Sequence, residues 1–238
     1  MSAPNPSARP PQVFDMAFLT DLPDALEILL IRHGQQEMDM SGPFGLTIDP
    51  PLSERGQMQA QLLGEALKET RLDAIYSSRL QRAYQTALAI AQHHGQEVRV
   101  VDDLREVEIF RDIPPDKPVV EVLGRAYLQG VRNRMIVEKS WDVYPYSESS
   151  AEFRRRAINA IEGIIAQHEG RGGRIAIVCH GGVINAYCGH IIGARYDMFF
   201  RPAHTAVNVV AAAQGRRALH SLNDVTHLKT PDGHLRSH

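Results

Sequence analysis

The sequence predicts an α/β fold: a mainly parallel sheet with helices on both faces. Two observations carry this expectation. Strand-length apolar runs alternate with stretches of helical periodicity along most of the chain. Two of those runs, Leu26–Ile31 (LEILLI) and Ile175–Cys179 (IAIVC), lead into histidine followed by glycine, at His33-Gly34 and His180-Gly181. Ligands of open α/β sheets bind beyond the carboxyl ends of the strands, so both histidines are placed where chemistry usually happens.

Taken in order, residues 1–11 are rich in Ser, Pro and Ala, lack an apolar core segment, and do not read as a secretory signal. Residues 1–25 are expected to be a disordered tail. The strand 26–31 is followed by an irregular stretch, 35–51, rich in Gly, Pro and Met. A helix is expected from Leu52 to Thr70, with Ser53 as N-cap and Glu54 in its first turn. Leu72–Ser77 is the second strand. Arg79–His93 is a helix ending before Gly95, and Glu97–Val101 is the third strand. Residues 107–147 are the least regular part, with Pro114, Pro115, Pro118 and a helical pattern over 118–137; they read as an insertion over one end of the sheet. Glu148–Glu169 is strongly periodic, with Phe153, Ile158, Ile161 and Ile165 mostly on one stripe. Strand 174–179 leads into a helix over 183–192. Two late strands, 206–212 and 217–222, are separated by a turn at Gln214-Gly215, and the tail 229–238 is expected to be flexible.

Composition narrows the class. The chain has 238 residues, 43% of them hydrophobic and 23% charged, enough for a sizeable core. A net charge of −2 gives no electrostatic reason to expect nucleic acid or an anionic membrane as partner. No apolar run approaches the roughly 18 residues of a membrane helix. The two cysteines, Cys179 and Cys188, make no disulfide framework, so a reducing cytoplasm is the default compartment. Both read as small buried hydrophobes, although Cys179 beside His180 keeps a nucleophile reading open.

The chemistry gathers at a third strand-to-helix turn, Ser77-Ser78-Arg79-Leu80-Gln81-Arg82-Ala83. Ser78 is the expected N-cap, which puts Arg79 and Arg82 in the first turn. Cations there are disfavoured by roughly 0.3–1 kcal/mol each, so the pair makes sense if an anion binds at this turn; the bland alternative is two solvent-facing arginines. Arg32 supplies a second bidentate fork beside His33. Gly34, Gly181 and Gly182 let backbone amides approach an oxyanion. One His-Gly turn alone would read as a structural histidine. Two, with an arginine-bearing helix start, point to phosphoryl transfer.

These motifs closely resemble the histidine phosphatase superfamily, the phosphoglycerate-mutase-like enzymes. The resemblance rests on Arg32-His33-Gly34, on Leu52-Ser53-Glu54-Arg55-Gly56, on Ser78 to Ala87 (SRLQRAYQTA), and on Val178-Cys179-His180-Gly181-Gly182. It covers roughly residues 26–228, and implies a three-layer α/β/α sandwich as a single domain with the 107–147 insertion over the active site. It implies His33 as the nucleophile taking up the phosphoryl group, with Arg32, Arg82, Gly181 and His180 around that group. Neutral imidazole is nucleophilic near physiological pH and needs no metal. It implies a general acid after the third strand, here Glu106, with Glu108 as competitor. Expected, then, are a catalytic set of His33, Glu106 and His180, no cofactor, no metal, and a small phosphorylated substrate. Neither nucleic acid nor membrane is an expected partner; a homodimer is admitted.

Three departures bear on substrate recognition. Asp39 stands where many members have a phosphate-binding Asn, Gln36 replaces a hydroxyl residue, and Val107-Glu108-Ile109-Phe110 replaces the usual run after the acid. The substrate pocket is expected under the 107–147 insertion and the 38–50 loop, with Asp39, Glu108, Phe44 and Trp141 as candidate contacts. Met38, Met40, Phe110, Tyr144 and Tyr146 extend the same set, as an apolar wall or as plain packing. Arg111, Lys117, Arg125, Arg132 and Arg134 could greet an acidic substrate or form a solvated face. Gly182-Val183 and Arg105-Glu106-Val107 resemble the phosphatase branch more than the mutases. A phosphoglycerate-type mutase is the first rival, and a non-catalytic phospholigand- or protein-binding member the second. His93-His94 and the other histidines lack metal-ligand spacing.

Overall fold

The computed structural model describes residue 10 and residues 12–38, 42–230 and 233–238. Six strands form the main sheet in the order β3-β2-β4-β1-β5-β6. They are β1 (Leu26–Arg32), β2 (Ala74–Ser77), β3 (Val98–Val100), β4 (Arg174–Cys179), β5 (Val207–Ala213) and β6 (Arg216–Asp224). The first four are parallel; β5 and β6 join antiparallel at the β1 edge. β1 and β4 pair from Glu27↔Arg174 to Arg32↔Cys179. That register brings the two His-Gly turns side by side at the carboxyl end of the sheet.

The alternation of a pleated strand divides the core into two layers. Ile28, Leu30, Ile175 and Ile177 face one way and pack against Phe153 and Ile161 of α7 (Ser150–Ala166) and Val183 and Tyr187 of α8 (Gly181–Ile192). Leu29, Ile31, Ala176 and Val178 face the other way, against Leu63 of α3 (Glu54–Leu67) and Ala83, Ala87 and Ile90 of α4 (Gln81–Ala91). These are the expected three layers. Strands buried on both faces explain why β1 and β4 read as continuous apolar runs rather than alternating ones.

Three expectations need correction. First, α4 begins at Gln81 with Leu80 in the N-cap position, not at Ser78, so Arg79 lies outside the helix. The Ser78 hydroxyl instead accepts the Leu80 N–H at 3.3 Å. The helix start is closed by Asp49, just after the one-turn α2 (Gly45–Ile48), whose carboxylate accepts the Gln81 N–H at 2.7 Å. Second, the segment expected to be a disordered tail includes a short helix, α1 (Val13–Phe18). Leu19 and Leu22 behind it are buried against Ala211 and Ala213, covering apolar surface that β5 would otherwise expose. Third, residues 233–238 are docked rather than loose. Lys229–Thr230 pairs with Gly233–His234, and Gln59, Arg55 and Arg201 hold the backbone of Leu235, Arg236 and His238. The insertion contains the expected helical stretch, broken at Gly124 into α5 (Val119–Leu123) and α6 (Arg125–Glu138). Among the described residues, no helix is long and apolar enough to cross a membrane.

Candidate active site

His33 sits at the end of β1, 4% exposed. Its Nδ1 lies 2.7 Å from the Gly34 carbonyl, an acceptor, so Nδ1 carries the proton. Nε2 is left with its lone pair, and the Arg82 Nε–H donates to it at 3.3 Å. Burial, with His180, Arg82 and Arg32 beside it, holds the His33 pKa well below 6.5 and the ring neutral. Gly34 N–H donates to the Thr86 hydroxyl at 3.0 Å, which pins the turn to α4. Gly56 is required for the same turn: a Cβ there would lie 1.9 Å from the Gln35 carbonyl oxygen.

His180 precedes α8 and is fully buried, its ring centre 5.0 Å from that of His33. Its Nε2 lies 2.9 Å from the Ser78 hydroxyl, and its Nδ1 has no partner among the described residues. Burial, then Arg82 and Arg32, keep it neutral as well. Arg82 comes from the first turn of α4 and is 8% exposed. Arg32 donates from Nη1 to the Pro202 carbonyl at 2.6 Å, while its buried Nε has no partner among the described residues. Burial lowers the Arg32 pKa to about 10, with Glu106 opposing and Arg201 and Arg82 reinforcing that shift, so it remains a cation at neutral pH.

Glu106 is fixed through both carboxylate oxygens. Oε1 accepts the Val107 N–H and Oε2 the Gly182 N–H, each at 3.0 Å. A Cβ at Gly182 would meet Glu106 Oε1 at 2.2 Å and Phe153 Cζ at 3.1 Å. The acid loop is clamped from α7 by Arg156. This guanidinium pairs bidentately with the buried Glu148 at 2.6 and 2.7 Å and donates to the carbonyls of Asp103, Arg105 and Glu106. Glu108 is placed differently. Arg105 and Arg111 donate to it at 3.2 and 2.8 Å, and Arg79 stands 3.9 Å away. Burial would raise its pKa, but these arginines outweigh burial and hold it below the usual carboxylate range.

The expected aromatic contacts form one row of rings. Phe44 meets Phe110, Phe110 meets Tyr144, Tyr144 meets Trp141 and Trp141 meets Phe153, with centres 5.6 to 6.4 Å apart. The row ends at Phe153 against Gly182, beside Glu106. Trp141 therefore packs into the core at the inner end of the row, whereas Phe44 belongs to the outer loop. Asp39 and Met40 lie outside the described residues. Met38, Tyr127 and Tyr146 are exposed, and Arg134 and Lys117 pair with Glu138 and Glu121, the solvated-face alternative. Cys179 is fully buried, and burial followed by the Glu106 charge pushes its thiol pKa up, which removes the nucleophile reading.

Sequence reasoning missed His204. It is 4% exposed, and its ring centre is 5.7 Å from that of His33. The only local hint was a histidine just before a late strand.

The sequence pattern of the Histidine phosphatase superfamily (branch 1) matches residues 28–225. The chain belongs to the histidine phosphatase superfamily. Within this superfamily it is 30% identical over 206 residues to "Phosphoserine phosphatase 1" of Hydrogenobacter thermophilus, covering 85% of this chain and 94% of that relative. It is 31% identical over 222 residues to "Metal-independent phosphoserine phosphatase" of Arabidopsis thaliana, covering 87% and 85%. A solved mycobacterial glucosyl-3-phosphoglycerate phosphatase shares the fold, with a TM-score of 0.69 at 24% identity over 84% of this chain and 99% of that one. This histidine phosphatase is thus an enzyme of the phosphatase type.

Proposed function

We propose that the chain is a metal-independent phosphomonoester hydrolase that passes the phosphoryl group through His33 and acts on a small phosphorylated metabolite. One observation carries the reading. Three buried polar atoms beside His33, namely Arg32 Nε, His180 Nδ1 and His204 Nε2, have no partner among the described residues. Unsatisfied buried polar groups are costly and rare, so three around one nucleophile outline a seat for an oxygen-rich anion.

In the first step the His33 Nε2 lone pair forms a bond to phosphorus while the bond from phosphorus to the leaving oxygen breaks. Glu106 gives that oxygen its proton. In the second step water attacks the phosphohistidine, Glu106 takes a proton from the water, and His33 is regenerated with inorganic phosphate. Arg32 and Arg82 neutralise the equatorial oxygens throughout, which is the main demand of phosphoryl transfer. Glu108, surrounded by arginines, serves the rim rather than the proton transfer. Its mixed-charge rim of Arg79, Arg105 and Arg111 suits an acidic or zwitterionic leaving group, and the names of the two curated relatives make phosphoserine the first substrate to try.

The test is phosphate release from phosphoserine, phosphoglycerates, sugar phosphates and p-nitrophenyl phosphate with EDTA present. Turnover in EDTA that disappears in His33→Ala is expected. Turnover that requires a metal, or a His33→Ala variant within about tenfold of the parent, would overturn the reading.

A further inference from the structure

His204 lies at the phosphoryl seat but on no element of the established motifs. It is held from behind by the 233–238 segment. Its backbone N–H donates to the Ser237 carbonyl at 2.9 Å, and its Nδ1 lies 2.9 Å from the Ser237 hydroxyl. Gln59 bears on the direction of that second bond. The Gln59 Oε1 accepts the Gln35 N–H at 2.9 Å, so the amide orientation of Gln59 is fixed. Gln59 Nε2 therefore donates, to the Leu235 carbonyl at 2.7 Å and to the Ser237 hydroxyl oxygen at 2.9 Å. Ser237 Oγ accepts there with one of its two lone pairs and keeps a proton that it can give to His204 Nδ1. A neutral imidazole that accepts at Nδ1 carries its proton on Nε2.

That Nε2 is buried and has no partner among the described residues, on a ring tilted against that of the nucleophile and next to Arg32. Burial, with Arg32 first among the charges, lowers the His204 pKa to about 3, so the ring stays a neutral donor over the working range. A buried N–H with no acceptor is expensive to keep unless a ligand supplies the acceptor.

We propose that His204 donates its Nε2–H to an oxygen of the phosphoryl group, in a tautomer set by a relay from Gln59 through Ser237. The inference rests on the phosphatase reading of the site. It makes His204 a phosphate-contacting residue, and Gln59 and Ser237 positioning residues that act through it. The 233–238 segment becomes part of the active site rather than an appendage.

The experiment is inorganic phosphate binding by calorimetry, together with nitrogen-15 NMR of the histidine rings, on the full chain. The unsubstituted protein should show His204 as the Nε2–H tautomer. His204→Leu should weaken phosphate binding about tenfold or more, the usual loss for a hydrogen bond to a charged acceptor. His204→Gln, whose amide N–H falls close to Nε2, should recover most of the loss. Ser237→Ala should mix the tautomers and weaken binding less than His204→Leu. An Nδ1–H tautomer in the unsubstituted chain would overturn the proposal, as would undiminished phosphate binding by a folded His204→Leu. Should His204→Leu not fold, the tautomer and the Ser237→Ala result still decide. Failure of the unsubstituted chain to bind phosphate would remove the phosphatase reading as well, which separates the two failures.

Discussion

At the residue scale, His33 is prepared for attack by its immediate neighbours. The Gly34 carbonyl accepts the Nδ1–H and burial among His180 and the arginines keeps the ring neutral, so Nε2 keeps the lone pair that attacks. The two carboxylates near it are separated by environment. Glu106 is held by two backbone N–H groups at the pocket; Glu108 is tied up by arginines. Glu106→Gln should therefore cost alkyl phosphates far more than p-nitrophenyl phosphate, whose leaving group needs little protonation. Glu108→Gln should leave that ratio unchanged while altering KM. The opposite pattern, read from kcat across leaving groups, would exchange their roles. The paired histidines and the two arginines were legible in the sequence because strand ends and motif spacing place them. His204 was not, because its role depends on a hydrogen-bond chain from residues 59 and 237, far apart in sequence.

At the element scale, β1, β4, α4 and α8 bring the site together. Their register and close approaches leave little tolerance. Gly182→Ala would put a methyl 2.2 Å from Glu106 Oε1, so the acid must move. Its kcat for phosphoserine should fall at least about tenfold, as expected for a misplaced catalytic group, with KM little changed; an unchanged kcat would show that Glu106 is not held where it works. The Arg156 clamp from α7 acts on the same loop. Arg156→Ala leaves the buried Glu148 with only Arg111, 3.9 Å away, as a counter-charge, and should cost about 3 kcal/mol in denaturant unfolding along with the leaving-group sensitivity of Glu106→Gln. Sequence reasoning placed α7 correctly but gave no sign of this clamp, since an arginine on a helical pattern reads as solvent-facing. The start of α4 was misplaced for a related reason. Its true cap is Asp49, which arrives from a loop some thirty residues earlier.

At the scale of the whole molecule, burying neutral histidines makes stability depend on pH. His33 and His180 lie well below 6.5, His204 at about 3 and His227 at about 4, each chiefly through burial. Unfolding returns all four toward 6.5, so below that value the unfolded chain binds more protons than the folded one. Their contribution is fully present above pH 6.5 and is lost as pH falls below it, by up to about 1.4 kcal/mol per pH unit for each group. The urea midpoint should drop between pH 7.5 and pH 5; a midpoint that rises over that range would contradict the assigned neutral rings. The layer order and sheet direction were legible because periodicity reports burial directly. The docked ends were not, since α1 and residues 233–238 are short segments that gain their order from the surface they cover.

The phosphohistidine is the central claim, and it can be caught. The enzyme would be quenched in base during turnover of phosphorus-32-labelled phosphoserine or p-nitrophenyl phosphate and the labelled peptide sequenced. An acid-labile, base-stable phosphoryl group on His33, absent from His33→Ala, is the predicted result. Steady turnover with no phosphoenzyme, or label on any residue other than His33, would contradict it.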